Sequence, residues 1–337
     1  MKIPIKTGLL AYGMSGKIFH APFLNVHDGF ELKAVVERSV KKAGKDYPGI
    51  KSYDSVDDLL ADSDIELVVV NTPNATHFEY AMKALLAGKR VLVEKPFTVH
   101  SAQAEQLFEE ARKRHLFILP YQNRRFDSDF QSVKQVLDSG KLGRVVEVHI
   151  RYDRYRDTID SNVLKETPVP GSGLMYNLCP HLLDAVFAAF GLPLNWKKTL
   201  GYIRVNTQVD DYAHIHLSFP NDLQVFVTTS YSVVEAQPAF VIHGNKGTYV
   251  KQRTDVQEKQ LQEGMSPVNP LFGVEEAGRD GILTTITDDG TKLQEKIPAI
   301  KSSYLNVFEH IYQTIREGQP YYVSEDQIIR QLEILEE

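Results

Sequence analysis

From residue 5 to about residue 120, short apolar runs alternate with amphipathic stretches: IKTGLLAY, KIFHAPFLNV, FELKAVVE, then IELVVVNTP, EYAMKALLAG, RVLVEK, AEQLFEEARKR and LFILPYQ. A strand without polar alternation has to be covered on both faces, and a parallel neighbour is reached only through a crossover, usually a helix. The alternation therefore predicts an α/β domain with a doubly wound parallel sheet.

The grammar changes after RRFDSDFQSVKQVLDSG, which reads as a helix closed by Gly140. RVVEVHIRYDRY, TLGYIRVNT, DYAHIHLSF, LQVFVTTSY, AFVIHG and KGTYVKQR follow as strands, with NDLQ and GNKG as turns. Strands in succession favour an antiparallel sheet. One helix, CPHLLDAVFAAFG, interrupts them early, another, SYLNVFEHIYQTIREG, comes near the end, and residues 253–275 read as a long loop. A chain of 337 residues exceeds what one core usually serves, so two domains are expected.

The formal charge of −6 offers no general attraction for a polyanion, so neither nucleic acid nor a membrane surface is an expected partner. No run approaches the ~18 apolar residues of a membrane span, and MKIPIKTGLLAYG is too short in its apolar part for a secretory signal. Cys179, the single cysteine, excludes an intramolecular disulfide. The expected location is the cytoplasm. His214 and His216 alternate on one strand without a third ligand of clear spacing, so they read as sheet-face histidines and no metal is expected.

The first strand runs into AYGMSGKIF, where Gly13 and Gly16, with Met14 and Ser15 between them, precede a helical pattern. A glycine turn there turns backbone N–H groups and a helix N-terminus toward a pyrophosphate. The full dinucleotide pattern has glycine where this chain has Ala11. Glu37 ends the second strand, where a carboxylate accepts from an adenosine ribose and favours NAD. Arg38 and Ser39 follow, a pair suited to the 2′-phosphate of NADP, or else Ser39 caps the next helix. NAD and NADP both stay open.

NTPNATH at 71–77, VEKPF at 93–97 and GSGLMYNLCPHLLD at 171–184, in this order behind the glycine loop, resemble the Gfo/Idh/MocA oxidoreductase family over nearly the whole chain. QNRRFDSDF and RYDRYR look most like its scyllo-inositol dehydrogenase branch. The resemblance implies a Rossmann domain over 1–122 and a substrate-binding and oligomerisation α+β domain over 123–337, with an open, mainly antiparallel sheet. It implies cofactor contacts at Asn71, Pro73, Asn74, His77, Glu94 and Asn123 and a catalytic Lys95 before a cis Pro96; the interleaved arginines and tyrosines of RYDRYRD read as substrate contacts, at Tyr152 and Arg154, or as a sheet edge. It further implies a small sugar or polyol as substrate and a homodimer or higher homo-oligomer.

In the family's pattern the 171–184 segment carries Asp where this chain has Asn177 and Gly where it has Cys179, while Gly171, Gly173, His181 and Asp184 keep the frame. Pro180 suits the first turn of a helix, so the helix is expected to begin near Asn177, placing Asn177 and His181 on one face. An amide does not titrate. Proton transfer is therefore assigned to Lys95 and His181, with Asn177 a positioning group or a plain helix cap, and Asp184 one turn on to orient the imidazole. The expected activity is NAD(P)-dependent hydride transfer to or from a secondary alcohol of a sugar or cyclitol. The alternative is a nucleotide-binding sensor on the same fold that has lost turnover.

Overall fold

The computed structural model describes residues 2–159 and 166–336. They fall into two compact units. The first holds Met1–Asn123 with Gln257–Phe272 and Ser303–Glu336; the second holds Arg124–Val256 and Gly273–Ser302.

In the first unit six strands, β1 (Ile5–Leu9), β2 (Phe30–Val36), β3 (Lys51–Tyr53), β4 (Leu67–Val70), β5 (Arg90–Val93) and β6 (Ile118–Pro120), form one parallel sheet in the order β3-β2-β1-β4-β5-β6. This is the dinucleotide-binding order, which reverses between β1 and β4. Every residue of β4 is buried, which explains why LVVV shows no polar alternation.

Two segments beyond the expected boundary at 122/123 return to this unit. Phe308, on the helix Leu305–Glu317, stacks on Phe23 with ring centres 5.2 Å apart, and Phe272 meets the same Phe23 edge-on at 6.1 Å. The last helix, Glu325–Glu336, packs along the helix Ser101–Lys113 and pairs Glu325 with Arg112. Residues 253–275 are not the uniform loop their composition suggests. They contain a helix, Gln257–Gln262, whose polar sequence QEKQLQ leaves only Leu261 to show an apolar face.

The second unit is one eight-stranded sheet: β7 (Val145–Asp153), β8 (Asn195–Gly201), β9 (Tyr212–Ser218), β10 (Gln224–Ser230), β11 (Phe240–Gly244), β12 (Gly247–Lys251), β13 (Gly281–Ile286) and β14 (Lys292–Ile297), ordered β14-β13-β12-β11-β7-β10-β9-β8. Only the central β7–β10 pair is parallel. The stretch expected as a strand at TLGYIRVNT ends at Gly201, because the Asp211 carboxylate accepts the N–H groups of Ile203 and Arg204 at 2.7 and 2.9 Å and turns the chain out of the ladder. β14 carries no apolar pattern because five of its six residues are exposed at the sheet edge.

The helix expected to start near Asn177 starts earlier, at Gly173, and runs to Phe190 with Pro180 inside it. Its N-terminus is fixed from outside: Asp210 accepts Leu174 N through its carbonyl at 2.9 Å and Met175 N through its carboxylate at 2.6 Å. That approach demands glycine, since Gly173 has φ +84° and a Cβ there would lie 1.9 Å from Asp210 Oδ1. Gly191, past the other end, has φ +80° and open space. Gly173→Ala is expected to lose about 2 kcal/mol or more of unfolding free energy and Gly191→Ala about 1 kcal/mol. Chemical denaturation of both variants checks the contrast.

Candidate functional site

The glycine loop is held by an amide. Asn71, the first residue after β4, accepts from Ala11 N at 3.0 Å and donates to Ala11 O at 2.8 Å, joining the ends of β1 and β4 where the strand order reverses. Gly16 lies against this clamp: a Cβ there would sit 2.2 Å from Ala11 O and 2.9 Å from Asn71 Nδ2. Gly13 differs, for it is exposed and a Cβ on it would meet nothing within 4 Å. Gly16 thus serves the fold, whereas the space beside Gly13 is open to a ligand. Met14 is 62% exposed beside it. The chain then enters a five-residue π-helix, Gly16–His20, a form frequent at functional sites.

A half-buried carboxylate ties this loop to the end of β5. Glu94 Oε1 accepts from Ser15 Oγ at 2.6 Å and lies 2.9 Å from His20 Nε2, while Oε2 accepts from Lys95 N at 3.1 Å. Burial alone would push Glu94 up; His20 first, then Ser15 and the Lys95 charge, bring it down to about 2. Glu94 is therefore an anion at any working pH. His20 is fully buried against the ring of Tyr121, 4.4 Å between ring centres, and Tyr121 Oη donates to Phe19 O. Sequence reasoning passed over His20, since its partner lies 74 positions away and no local pattern marks it. The Lys95–Pro96 peptide is cis, as the motif implied, and the Lys95 side chain is half-buried.

Pro73 is exposed and Asn74 half-buried in the turn after Asn71. His77, expected among the cofactor contacts, is fully buried, with Nδ1 2.7 Å from Pro96 O and Nε2 2.9 Å from Thr72 O. A backbone carbonyl faces each ring nitrogen, of which a neutral imidazole donates to one, so His77 packs between the two turns and has no edge left for a ligand. Burial lowers its pKa. Asn123 is buried after β6 and opens a short 3₁₀ turn.

At the end of β2, Glu37 is 8% exposed and already taken. Its carboxylate accepts from Lys42 N at 2.7 Å, Ala43 N at 3.2 Å and Ser52 Oγ at 2.8 Å. Glu37, not Ser39, caps the short helix Ala43–Asp46. Three of about four acceptor sites are thus used within the chain. Arg38 and Ser39 are exposed, and Arg38 makes no hydrogen bond or ion pair among the described residues.

In the second unit, Asn177 and His181 sit one turn apart inside the helix Gly173–Phe190, so Asn177 is no helix cap. The Asn177 amide donates to Tyr231 Oη at 3.1 Å, and His181 is 8% exposed. Asp184 does not orient the imidazole. Its carboxylate forms a buried fork with Arg125, at 2.9 Å to Nε and 2.8 Å to Nη2. Cys179 is buried, which pushes its thiol up and leaves it inert. Tyr152 lies on β7 with Arg154 just beyond it, and Arg154 Nη2 donates to Tyr152 Oη at 2.9 Å. His214 and His216 stack on Phe226 along the sheet face.

The strand order and the clamped glycine loop are those of a Rossmann fold, and a family model described as "Oxidoreductase family, NAD-binding Rossmann fold" matches residues 5–121. The GFO/IDH/MocA C-terminal domain model matches residues 130–250. The chain belongs to the Gfo/Idh/MocA oxidoreductase family. It is 37% identical to the uncharacterized oxidoreductase YhhX of Escherichia coli (strain K12), over 98% of this chain and 95% of that one. With the scyllo-inositol 2-dehydrogenase (NADP(+)) IolW of Bacillus subtilis (strain 168) it shares 31% identity, over 98% and 92%. Among solved structures, an oxidoreductase from Bacillus cereus superposes with a TM-score of 0.90 at 31% identity, covering 98% of this chain and 95% of that one.

The two glycines give opposite expected outcomes. Gly13→Ala leaves the unfolding free energy unchanged and weakens NAD(P) binding about tenfold or more; Gly16→Ala also lowers the unfolding free energy by about 2 kcal/mol, and with it the midpoint, because its methyl displaces Ala11 and Asn71. Thermal unfolding with and without cofactor distinguishes them.

Proposed function

We propose that the chain is an NADP-preferring dehydrogenase that oxidises a secondary alcohol of a sugar or cyclitol, or reduces the corresponding ketone. The observation that carries the reading is the Glu94 knot, which joins the glycine loop to the strand end bearing Lys95 through Ser15, His20 and the Lys95 peptide. The name of the similar scyllo-inositol 2-dehydrogenase (NADP(+)) supports the substrate class and the cofactor alike.

The glycine loop fits a dinucleotide: Gly16 is forced by close approach, and Gly13 keeps open space beside the loop backbone. Bound there, the nicotinamide cofactor supplies the hydride acceptor or donor. Lys95 takes the hydroxyl proton in oxidation and returns it in reduction, so the alcohol loses one hydride and one proton in total. His181 is the second proton carrier, one turn of helix beyond Asn177. Asn177, an amide, positions a substrate hydroxyl and moves no proton. Met14, Ser15, Asn71, Pro73, Asn74, Glu94 and Asn123 contribute the walls and contacts of the cofactor region, and Tyr152 and Arg154 those of the substrate.

The preference for NADP rests on availability. Glu37 holds three donors of its own chain, which leaves little capacity for a ribose hydroxyl, while the exposed Arg38 beside Ser39 suits a 2′-phosphate. Initial rates followed by nicotinamide absorbance, over polyols and ketoses with each cofactor, test the reading. NADP is expected to be the better cofactor, and Arg38→Ala to lower its kcat/KM about 10–100-fold while leaving NAD within about threefold. Lys95→Met is expected to lower kcat about 10²–10⁴-fold at unchanged cofactor affinity. A NAD preference that Arg38→Ala does not alter would overturn the cofactor assignment, and a protein that binds the cofactor but turns over no polyol would overturn the enzyme.

A further inference from the structure

The second unit gathers guanidinium groups around two tyrosines. Arg253, Arg154 and Arg124 lie 4.2, 4.9 and 5.5 Å from the ring centre of Tyr152. Arg204 and Arg156 lie 4.9 and 5.1 Å from that of Tyr231. Tyr152 and Tyr231 pack into one cluster with Leu174 and Leu178, which stand on the first turns of the helix that carries Asn177 and His181.

The two groups of arginines differ in how they are neutralised. Arg204 is buried and meets both Glu166, at 2.9 Å, and Asp211, at 3.0 Å. Around Tyr152, Arg154 forms no ion pair among the described residues, and its guanidinium donates to a neutral phenol. The one ion pair of Arg253 among them is a 3.8 Å approach to Asp127, which also takes Arg124 at 3.2 Å. Asp127 is a poor counter-ion, since burial first, and then Asp255 and Asp129 beside it, push its pKa well up. The Nε of Arg253 is buried and has no hydrogen-bond partner among the described residues.

An aromatic ring has two faces, and a cation on either one is stabilised. A third guanidinium at the same ring adds repulsion without a further face to occupy. The phenol registers the resulting field: burial would push the Tyr152 pKa up, yet Arg124, Arg154 and Arg253 together hold it below its ordinary value. The Arg253 side chain is 22% exposed and Arg154 half-buried, so solutes reach both.

We propose that Arg154 and Arg253 form an anion subsite beside Tyr152, and that the substrate is an acidic sugar or polyol whose carboxylate or phosphate these two guanidiniums hold. Planar forks suit either oxyanion through paired N–H contacts, whereas a neutral cyclitol offers hydroxyl acceptors but no countercharge. The subsite itself stands on the arginine geometry; its assignment to substrate rests on the dehydrogenase reading above.

The test uses the full chain in two arms. Calorimetric titrations with inorganic phosphate and with glucuronate compare wild type with Arg154→Gln and Arg253→Gln; saturable binding that falls about tenfold or more in either variant is expected. In the kinetic arm, glucose, glucuronate and glucose 6-phosphate are compared as substrates with NADP. An acidic member is expected to exceed glucose about tenfold or more in kcat/KM, and Arg253→Gln, like Arg154→Gln, to remove that advantage mainly through KM. Whether glucuronate or the phosphate leads identifies the oxyanion. Arg154→Lys, which keeps the charge and loses the fork, gives an intermediate value and serves if the glutamine variant does not fold. Anion binding lost in the variants with no turnover of any sugar would keep the subsite and overturn the dehydrogenase. Turnover of neutral sugars alone, indifferent to Arg154→Gln, would keep the dehydrogenase and overturn the subsite.

Discussion

One side-chain amide decides the form of the first unit's working edge. Strand order reverses between β1 and β4, so the loops leaving these two strands part from each other and open a crevice. Nothing in the sheet ladder joins those loops. Asn71 does, by accepting from and donating to the same residue, Ala11. A carboxylate would satisfy only the N–H and a lysine only the carbonyl, so the side chain has to be an amide short enough for the gap. With Ala11 fixed, Gly16 has to pass within 2.2 Å of its carbonyl where any Cβ would stand, and Ser15 is brought to Glu94. The position of Lys95 follows in turn, since Glu94 also holds the Lys95 N–H.

Much of this was legible before any coordinate. Uninterrupted apolar strands give a parallel sheet because both faces must be covered, and β4 is buried throughout. Gly140 and Gly318 each follow a helix with positive φ, where backbone sterics favour glycine. What stayed hidden depends on distant partners. His20 meets Glu94 across 74 positions and Glu37 meets Ser52 across 15, and neither pairing leaves a periodic trace. The helix Gln257–Gln262 and β14 stayed hidden for another reason: one shows a single apolar residue and the other lies exposed at an edge, so neither carries the burial that produces a pattern.

The helix Gly173–Phe190 shows how a local rule yields to a tertiary contact. Pro180 lacks an N–H and clashes with the preceding turn, which argues for a start just before it. The backbone N–H groups of Leu174 and Met175 find both acceptors of Asp210 instead, and Gly173 supplies the left-handed turn that lets the chain reach them. Two satisfied helix-end donors offset the proline, and the helix gains a turn. Asn177 moves from the helix end to its interior, and its amide donates to Tyr231 Oη. The same early start puts Leu174 and Leu178 under the tyrosines that the arginines surround.

Residue type and residue availability are separate facts, and Glu37 and Arg154 make the difference concrete. A carboxylate at the end of β2 signals a ribose contact only while its lone pairs face outward. Here the peptide N–H groups of Lys42 and Ala43 and the hydroxyl of Ser52 claim it first, and the helix Ala43–Asp46 depends on that claim. Releasing Glu37 to a ligand would strip the helix of its cap, so the carboxylate stays where it is. The neighbouring Arg38 carries no such obligation: it is exposed and makes no hydrogen bond or ion pair among the described residues. Arg154 stands in the same relation to Arg204, for both approach a tyrosine ring in one unit, but Glu166 and Asp211 have settled the charge of Arg204 and Arg154 has no carboxylate partner among the described residues.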